Sequence, residues 1–293
     1  MKYYYLISIM LLIIPTISWA DDHVEFLSFR DEALRSISVR DYKTAEQRIK
    51  GAEYFANSSS DKSDYNNLTQ QYNTALSADL DSARVLYNNR KYEECITLLM
   101  PLLETKRDSD IQWWIGNSYV NIKMPILAKK YLLTGVNKYN NAWCAYSLGW
   151  LYNHTNDRSS LGITFKDAKN YLIKGTSATK AAYEELGRLY EEVCAYDLAV
   201  ENYAKAKSKK ANIQISNLLL DGYAKLPDEE ALNYITIAAN EGDLNSIYGL
   251  GLIYYNGVYG VKQDHAKGRS LVNKASQQGH KRAKSILHKL KSY

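Results

Sequence analysis

Four times in this chain an apolar residue and a glycine are followed, three positions after the glycine, by a tyrosine. The copies are Ile115-Gly116 with Tyr119, Leu148-Gly149 with Tyr152, Leu186-Gly187 with Tyr190 and Leu250-Gly251 with Tyr254. The glycines lie 33, 38 and 64 residues apart, and the last interval is two steps of 32. A degenerate copy is therefore expected near Leu219, where glycine and tyrosine are both missing. A period of this size marks a chain built from stacked supersecondary units rather than around one globular core. Small residues stand five before three of the glycines, at Cys144, Ala182 and Ser246. At helical pitch, positions −5, −1 and +3 share one face. Glycine inside a helix costs about 1 kcal/mol relative to alanine. Its return in each copy implies that a neighbouring helix passes too close for a side chain.

A second amphipathic segment follows each glycine-bearing one: Ala128 to Leu133, Ala168 to Ile173, Ala199 to Ala204 and Ala231 to Ile235. Each carries apolar residues at i, i+3 and i+4, the one-sided stripe of a helix that packs. Strand signals are nearly absent, and four prolines and fifteen glycines in 293 residues leave room for helices almost throughout. Tyrosine, at 26 residues against four phenylalanines, suits half-buried helix surfaces because its ring packs while its hydroxyl stays wet. The reading is all-α, with paired helices stacked side by side.

The unit from Ser246 to His280 carries the most detail. It has Leu250-Gly251 and Tyr254, then Gly257, Gly260 and Val261, then Asp264 ahead of a helix, then Lys274-Ala275 and Gly279. This resembles the Sel-one-like repeat, a subclass of the tetratricopeptide-type helical repeats, through its LG-x-x-Y helix, its G-x-x-G-V turn, its Asp and its K-A-x-x-x-G exit. Upstream, Arg90-Lys91-Tyr92 with Cys95 repeats Arg40-Asp41-Tyr42 with Ala45, and both look like the turn and second helix of a plainer tetratricopeptide-like repeat. Between them residues 57–63 read as a polar loop. The resemblance implies a right-handed α-solenoid of stacked antiparallel helix pairs. Its expected organisation is a tetratricopeptide-like region over 21–109, then a Sel-one-like solenoid over 110–293 with a basic C-terminal capping helix.

Residues 1–20 read separately. Lys2, an apolar run from Leu6 to Ile14, Pro15, and small residues at Ser18 and Ala20 are the parts of a cleavable secretory signal, with cleavage near Ala20. The run is shorter than the ~20 residues that span a bilayer, so a periplasmic or secreted chain with no transmembrane segment in its mature form is expected. Export permits disulfides; with Cys95, Cys144 and Cys194 at least one thiol is left over. A Cys144–Cys194 bridge and three small buried thiols are the two alternatives. From Lys262 onward nine basic residues face Asp264 alone. That surplus suits a solvated final helix or an acidic partner.

Stacked pairs bury a shared core and leave a concave side on which repeat proteins hold partner segments. Positions −3, +1 and +4 from each glycine form a stripe rotated away from the packing face: Trp113, Asn117 and Val120; Tyr146, Trp150 and Asn153; Glu184, Arg188 and Glu191; Tyr248, Leu252 and Tyr255. Aromatics beside amides and charges are what interface hot spots favour. The partner-binding candidates are therefore Trp113, Asn117, Tyr146, Trp150, Asn153, Glu184, Arg188, Tyr248, Leu252 and Tyr255. No G-x-S-x-G elbow, HExxH pair, phosphate-binding glycine loop or C-x-x-C pair occurs, and the five histidines lack metal-ligand spacing. His280 and His288 read as solvated residues of a basic helix. The expectation is thus a monomeric protein-binding module, not an enzyme, with no catalytic residue, cofactor, metal or nucleic-acid partner. The resemblance supplies a narrower form, an immunity protein that neutralises an envelope-targeted toxin such as a type VI lipase effector. The alternatives are a cell-envelope or peptidoglycan-associated adaptor and the repeat scaffold of a cell-wall enzyme.

Overall fold

The computed structural model describes residues 19–290 apart from 104, 106 and 107. Residues 1–18, which carry most of the expected signal peptide, lie outside the described residues. The described secondary structure is helical, without a strand. The chain divides into two compact units, Met1–Asn141 and Ala142–Tyr293.

The N-terminal unit holds α1 (Trp19–Ser38), α2 (Tyr42–Phe55), α3 (Ser59–Asn88), α4 (Tyr92–Leu99), a 3-10 turn (Met100–Leu102), α5 (Asp108–Asn121) and α6 (Pro125–Tyr139). Phe26, Tyr42, Leu68, Tyr72, Leu99, Ile111 and Ile115 are buried together in its core. The N-terminal unit thus includes the first glycine-bearing hairpin, α5–α6, since Ile111 and Ile115 share a core with α1 to α4.

The two matched segments at Arg40 and Arg90 are the same device. Both residues sit at φ 61 between the two helices of a hairpin. The amides of Arg40 and Asp41 return to the carbonyls of Ile37 and Ser36, and those of Arg90 and Lys91 return to Tyr87 and Leu86. This paired closure satisfies the orphan carbonyls at a helix end through one left-handed residue. Lys123 (φ 64) and Cys194 (φ 56) repeat it in later hairpins. Of residues 57–63, expected to be a loop, 57 and 58 lie outside any helix and 59–63 instead start the longest of the described helices. The Ser58 hydroxyl accepts the amide of Asp61 at 3.0 Å, and the buried Asp61 carboxylate meets His23 at 2.7 Å. Capping residues look like loop residues in composition because both are polar.

The C-terminal unit holds α7 (Ala142–His154), the single turn α8 (Arg158–Leu161), α9 (Phe165–Gly175), α10 (Ala181–Glu192), α11 (Tyr196–Ala206), α12 (Lys209–Leu220), α13 (Asp228–Asn240), α14 (Leu244–Asn256), α15 (His265–Gln277), α16 (Lys281–Ile286) and a 3-10 turn (Leu287–Lys289). Its hairpins are α7/α9, α10/α11, α12/α13 and α14/α15. The −5 and −1 positions of every glycine copy are buried. The glycines do what their recurrence implies. A Cβ on Gly116 would come within 2.6 Å of Leu132, one on Gly187 within 2.6 Å of Tyr203, and one on Gly251 within 2.8 Å of Val272; Gly149 meets Leu172 in the same way. Each approach is to the second helix of the same hairpin. Leu219 takes the glycine's place in α12 and is buried, and α12 approaches α13 less closely along its length than the glycine-bearing pairs approach their partners.

The last hairpin matches the expected turn. Gly257 (φ 69) caps α14, Gly260 has φ 71, and Asp264 caps α15 by accepting the amide of Lys267 at 2.9 Å. The Cys144–Cys194 bridge is not formed: Cys144 lies buried on the core face of α7, whereas Cys194 is exposed in the turn between α10 and α11. Buried thiols, the other alternative, hold for Cys95 and Cys144.

Gly268 is approached by backbone, not by a flexible side chain. A Cβ there would lie 2.6 Å from the amide nitrogen of Tyr255 and 2.7 Å from the carbonyl of Gly251. Gly268→Ala is therefore expected to destabilise the chain by about 2–3 kcal/mol through overpacking, although alanine favours the helix. Urea unfolding followed by circular dichroism measures it; an unchanged or higher midpoint contradicts the packing argument.

Candidate functional site

All twelve positions of the second stripe are half-buried, and their neighbours divide them. Trp113 and Asn117 belong to the N-terminal unit. The Trp113 ring lies 4.8 Å from Trp114 and 6.4 Å from Tyr87, and the Asn117 amide donates to the Trp113 carbonyl at 2.9 Å. The other candidates lie in the C-terminal unit.

There Tyr146, Trp150, Asn153, Glu184 and Arg188 surround a residue outside the stripe, Glu185, whose side chain is 5% exposed. Asn153 donates to its carboxylate at 2.8 Å and to its carbonyl at 2.9 Å. His154 Nε2 stands 3.2 Å from both carboxylate oxygens, and the Arg188 guanidinium approaches at 3.6 Å. Trp150 stacks on the His154 ring with centroids 4.1 Å apart. Burial, then the charges of Glu185 and Glu184, push the Tyr146 hydroxyl up to about 12. A carboxylate can be buried here because each oxygen is met by a donor. The cluster ties α7 to α10, so the Asn153 side-chain NH2 and the Arg188 guanidinium are engaged inside the unit. Tyr255 is also committed. Its backbone faces Gly268, and its ring lies 4.5 Å from His265, edge to face.

Tyr248 and Leu252 line something different. With Gly249 they form the floor of an open groove of about 890 Å³ along α14. One wall is the end of α12, with Asn217, Leu220 and Asp221; the other is the start of α16, with His280, Lys281 and Arg282. Three local features set its shape. Gly249 lets Leu220 come down onto α14, where a Cβ would stand 2.5 Å away. Buried Ser216 and Ser246 share a hydrogen bond of 2.8 Å, and the Ser246 hydroxyl donates to Asp243 at 2.7 Å, which makes Ser216 the donor to Ser246. This chain fixes α12 against α14 beneath the groove.

His280 fixes the other wall. Its ring stacks on Tyr248 at 4.6 Å, its Nδ1 accepts the amide of Ala283 at 3.0 Å, and its Nε2 lies 3.0 Å from the Asn245 side-chain oxygen. Nδ1 can accept from an amide only when unprotonated, so Nε2 carries the hydrogen and donates to Asn245. His280 is thus a capping and wall residue rather than a solvated one. Among the described residues no group of three or more His, Cys, Asp or Glu is arranged to hold a metal, and no helix is long and apolar enough to cross a membrane.

The stacked hairpins are shared with solved structures. A Sel1 repeat protein from Oxalobacter formigenes superposes with a TM-score of 0.51 and 20% identity, over 71% of this chain and 86% of that one. A protective antigen of uropathogenic Escherichia coli strains, described as displaying an SLR fold, superposes with a TM-score of 0.58 and 19% identity, over 90% of this chain and 64% of that one. The fold is that of the Sel1-like repeat proteins. No family model matches the sequence, and no curated protein matches it. In this chain the Sel1-like hairpin is most complete at α14–α15, and the groove lies against that hairpin.

The signals for the groove's walls were present but unspecific. Lys281 and Arg282 were part of a basic run, and Asn217 and Asp221 lay in the copy that lacks its glycine. Glu185 sits one residue past a stripe position, on the flank between the stripe and the −5, −1, +3 face, where helical periodicity alone does not mark it as buried.

Two outcomes follow from these contacts. Glu185→Ala strands Asn153, His154 and Arg188 and is expected to cost about 2–4 kcal/mol in chemical denaturation, far more than an exposed Glu201→Ala. The second concerns pH. Burial, then the Arg282 charge, hold the His280 imidazole below its ordinary value of 6.5. The unfolded chain therefore takes up the proton first. The cap's stability is fully present above about pH 6.5 and is lost as pH falls through the lowered native value. Amide exchange at Ala283, corrected for its intrinsic rate, should lose protection between pH 7.5 and 5.5. His280→Asn, which caps without titrating, should remove that dependence.

Proposed function

We propose that this chain is an exported, non-catalytic module that binds a protein partner, and that the groove along α14 is where it does so. The observation that carries this reading is the groove itself. It is an open channel with an aromatic and aliphatic floor, Tyr248 and Leu252, between polar walls, in a fold whose other half-buried stripe residues are largely tied to neighbours. Such a channel suits an extended segment whose side chains meet the floor while its backbone meets the walls. Export rests on the signal-like residues 1–20, and the periplasm or the medium is the proposed location. In the narrower form of the proposal the partner is a toxin directed at the cell envelope and this chain is its immunity protein. The competing form is an adaptor held at the envelope by its basic C-terminal region.

Affinity capture from an envelope extract with the full chain tests the reading. One protein should be retained by the wild type and lost, at least tenfold, by Tyr248→Ala with Leu252→Ala, since buried aromatic anchors carry most of an interface's energy. Trp150→Ala, which unstacks His154 and leaves the groove intact, should retain it. Equal retention by the groove variant would sink the assignment. Retention of cell-wall fragments that high salt releases would favour the adaptor.

A further inference from the structure

Beyond its floor, the groove has a charge pattern. Lys281 and Arg282 are exposed on one wall, and neither has an ion-pair partner among the described residues. Two acidic residues line the same groove, but they are not equivalent. Asp243 is spent inside the fold, accepting both the amide and the hydroxyl of Ser246 at 2.8 and 2.7 Å. Asp221 stands across the groove from the cations, at the end of α12. The amides divide in the same way. Asn245 is occupied by His280 and Asn217, whereas Asn256 has no side-chain partner among the described residues.

We infer that the groove takes an extended acidic protein segment, with carboxylates against Lys281 and Arg282 and an apolar side chain on Tyr248 and Leu252. This rests on the reading of the groove as the partner site and adds the partner's chemistry. Charge complementarity decides the class. Two unpaired cations beside an apolar floor leave a deficit that a carboxylate-bearing chain fills, with charge-assisted hydrogen bonds stronger than neutral ones. A free side-chain amide such as that of Asn256 can donate to and accept from a peptide backbone in one plane. An anionic bilayer fits less well. The cations flank a channel with Asp221 on its far side, and a flat negative surface brought to Lys281 and Arg282 would meet that carboxylate too.

A displayed library of random dodecapeptides, selected on the full-length protein at low salt, tests the inference. Three proteins serve as baits: the wild type, Lys281→Glu with Arg282→Glu, and Asp221→Lys. Both charge-reversed residues are exposed in the first turn of α16, where acidic side chains favour a helix, so that variant keeps its fold. Peptides selected on the wild type should be enriched in Asp and Glu beside an apolar residue. They should bind the charge-reversed variant about tenfold or more weakly and Asp221→Lys more tightly. If peptides are selected and lost with Tyr248→Ala, but are no richer in acid than the starting library, the acidic class is wrong while the groove stands as a peptide site. If no peptide is enriched on any bait, both readings fall. If phosphatidylglycerol vesicles bind the wild type, displace the peptides and fail to bind the charge-reversed variant, the cations serve a membrane surface and the inference is overturned.

Discussion

Three of the four hairpins of the C-terminal unit depend on two helices coming together where one of them has no side chain. Gly149 admits Leu172, Gly187 admits Tyr203 and Gly251 admits Val272, in each case four residues after a small residue, Ala168, Ala199 or Gly268, on the second helix. A close-packed pair of this kind cannot slide, because a shift of one residue would place a Cβ where the partner's side chain already is. The hairpin is therefore a rigid unit, and the residues on its outer faces are presented at fixed spacing. The glycine's entropic cost in the helix is offset by the dispersion and burial that the close approach permits.

Rigid hairpins still have to be joined to one another, and this unit does so in two ways with opposite consequences. Between α7 and α10 the joint is the Glu185 carboxylate with Asn153, His154 and Arg188 around it. That joint takes up side chains of the stripe, Asn153 and Arg188, which stay half-buried. Between α12 and α14 the joint is the short chain from Ser216 through Ser246 to Asp243. Its side chains are small and lie deep, so they hold the helices in register without filling the space above. The groove over Tyr248 and Leu252 is what a deep joint leaves open.

How far the sequence could be read follows from the same distinction. The glycine face, the hairpins and the turn at Gly257 to Asp264 were legible because they depend on residues close together in the chain. The stripe of candidate residues was legible as a stripe, since period 3.6 sets which side chains share a face. What each would meet was not, because Glu185 is 32 residues from Asn153 and His280 is 32 from Tyr248. Nothing local in Asn153 or Tyr248 says that one will be occupied and the other left lining a groove. The Ser58 cap was missed because a capping residue is as polar as a loop residue, whereas the turns at Arg40 and Arg90 were legible as turns but their left-handed residues, like Cys194, were not. Such turns usually carry glycine, and here the closing hydrogen bonds hold a residue with a Cβ in that conformation.

The place of the groove in the unit has a physical reason as well. A hairpin in a stacked array buries its outer face only as far as the element packed on it reaches. Here the cover over α14 is α16, a helix of six residues, too short to span thirteen. His280, just ahead of its first residue, stacks on Tyr248, and Leu252, one turn further along α14, is left at the groove floor. A longer helix in this place would cover Leu252 as well and leave no groove. A still shorter one would leave Tyr248 bare and remove the wall that carries Lys281 and Arg282. The N-cap that starts α16 and the wall that would read a partner's charge are therefore the same few residues, and the neutral His280 imidazole couples the two.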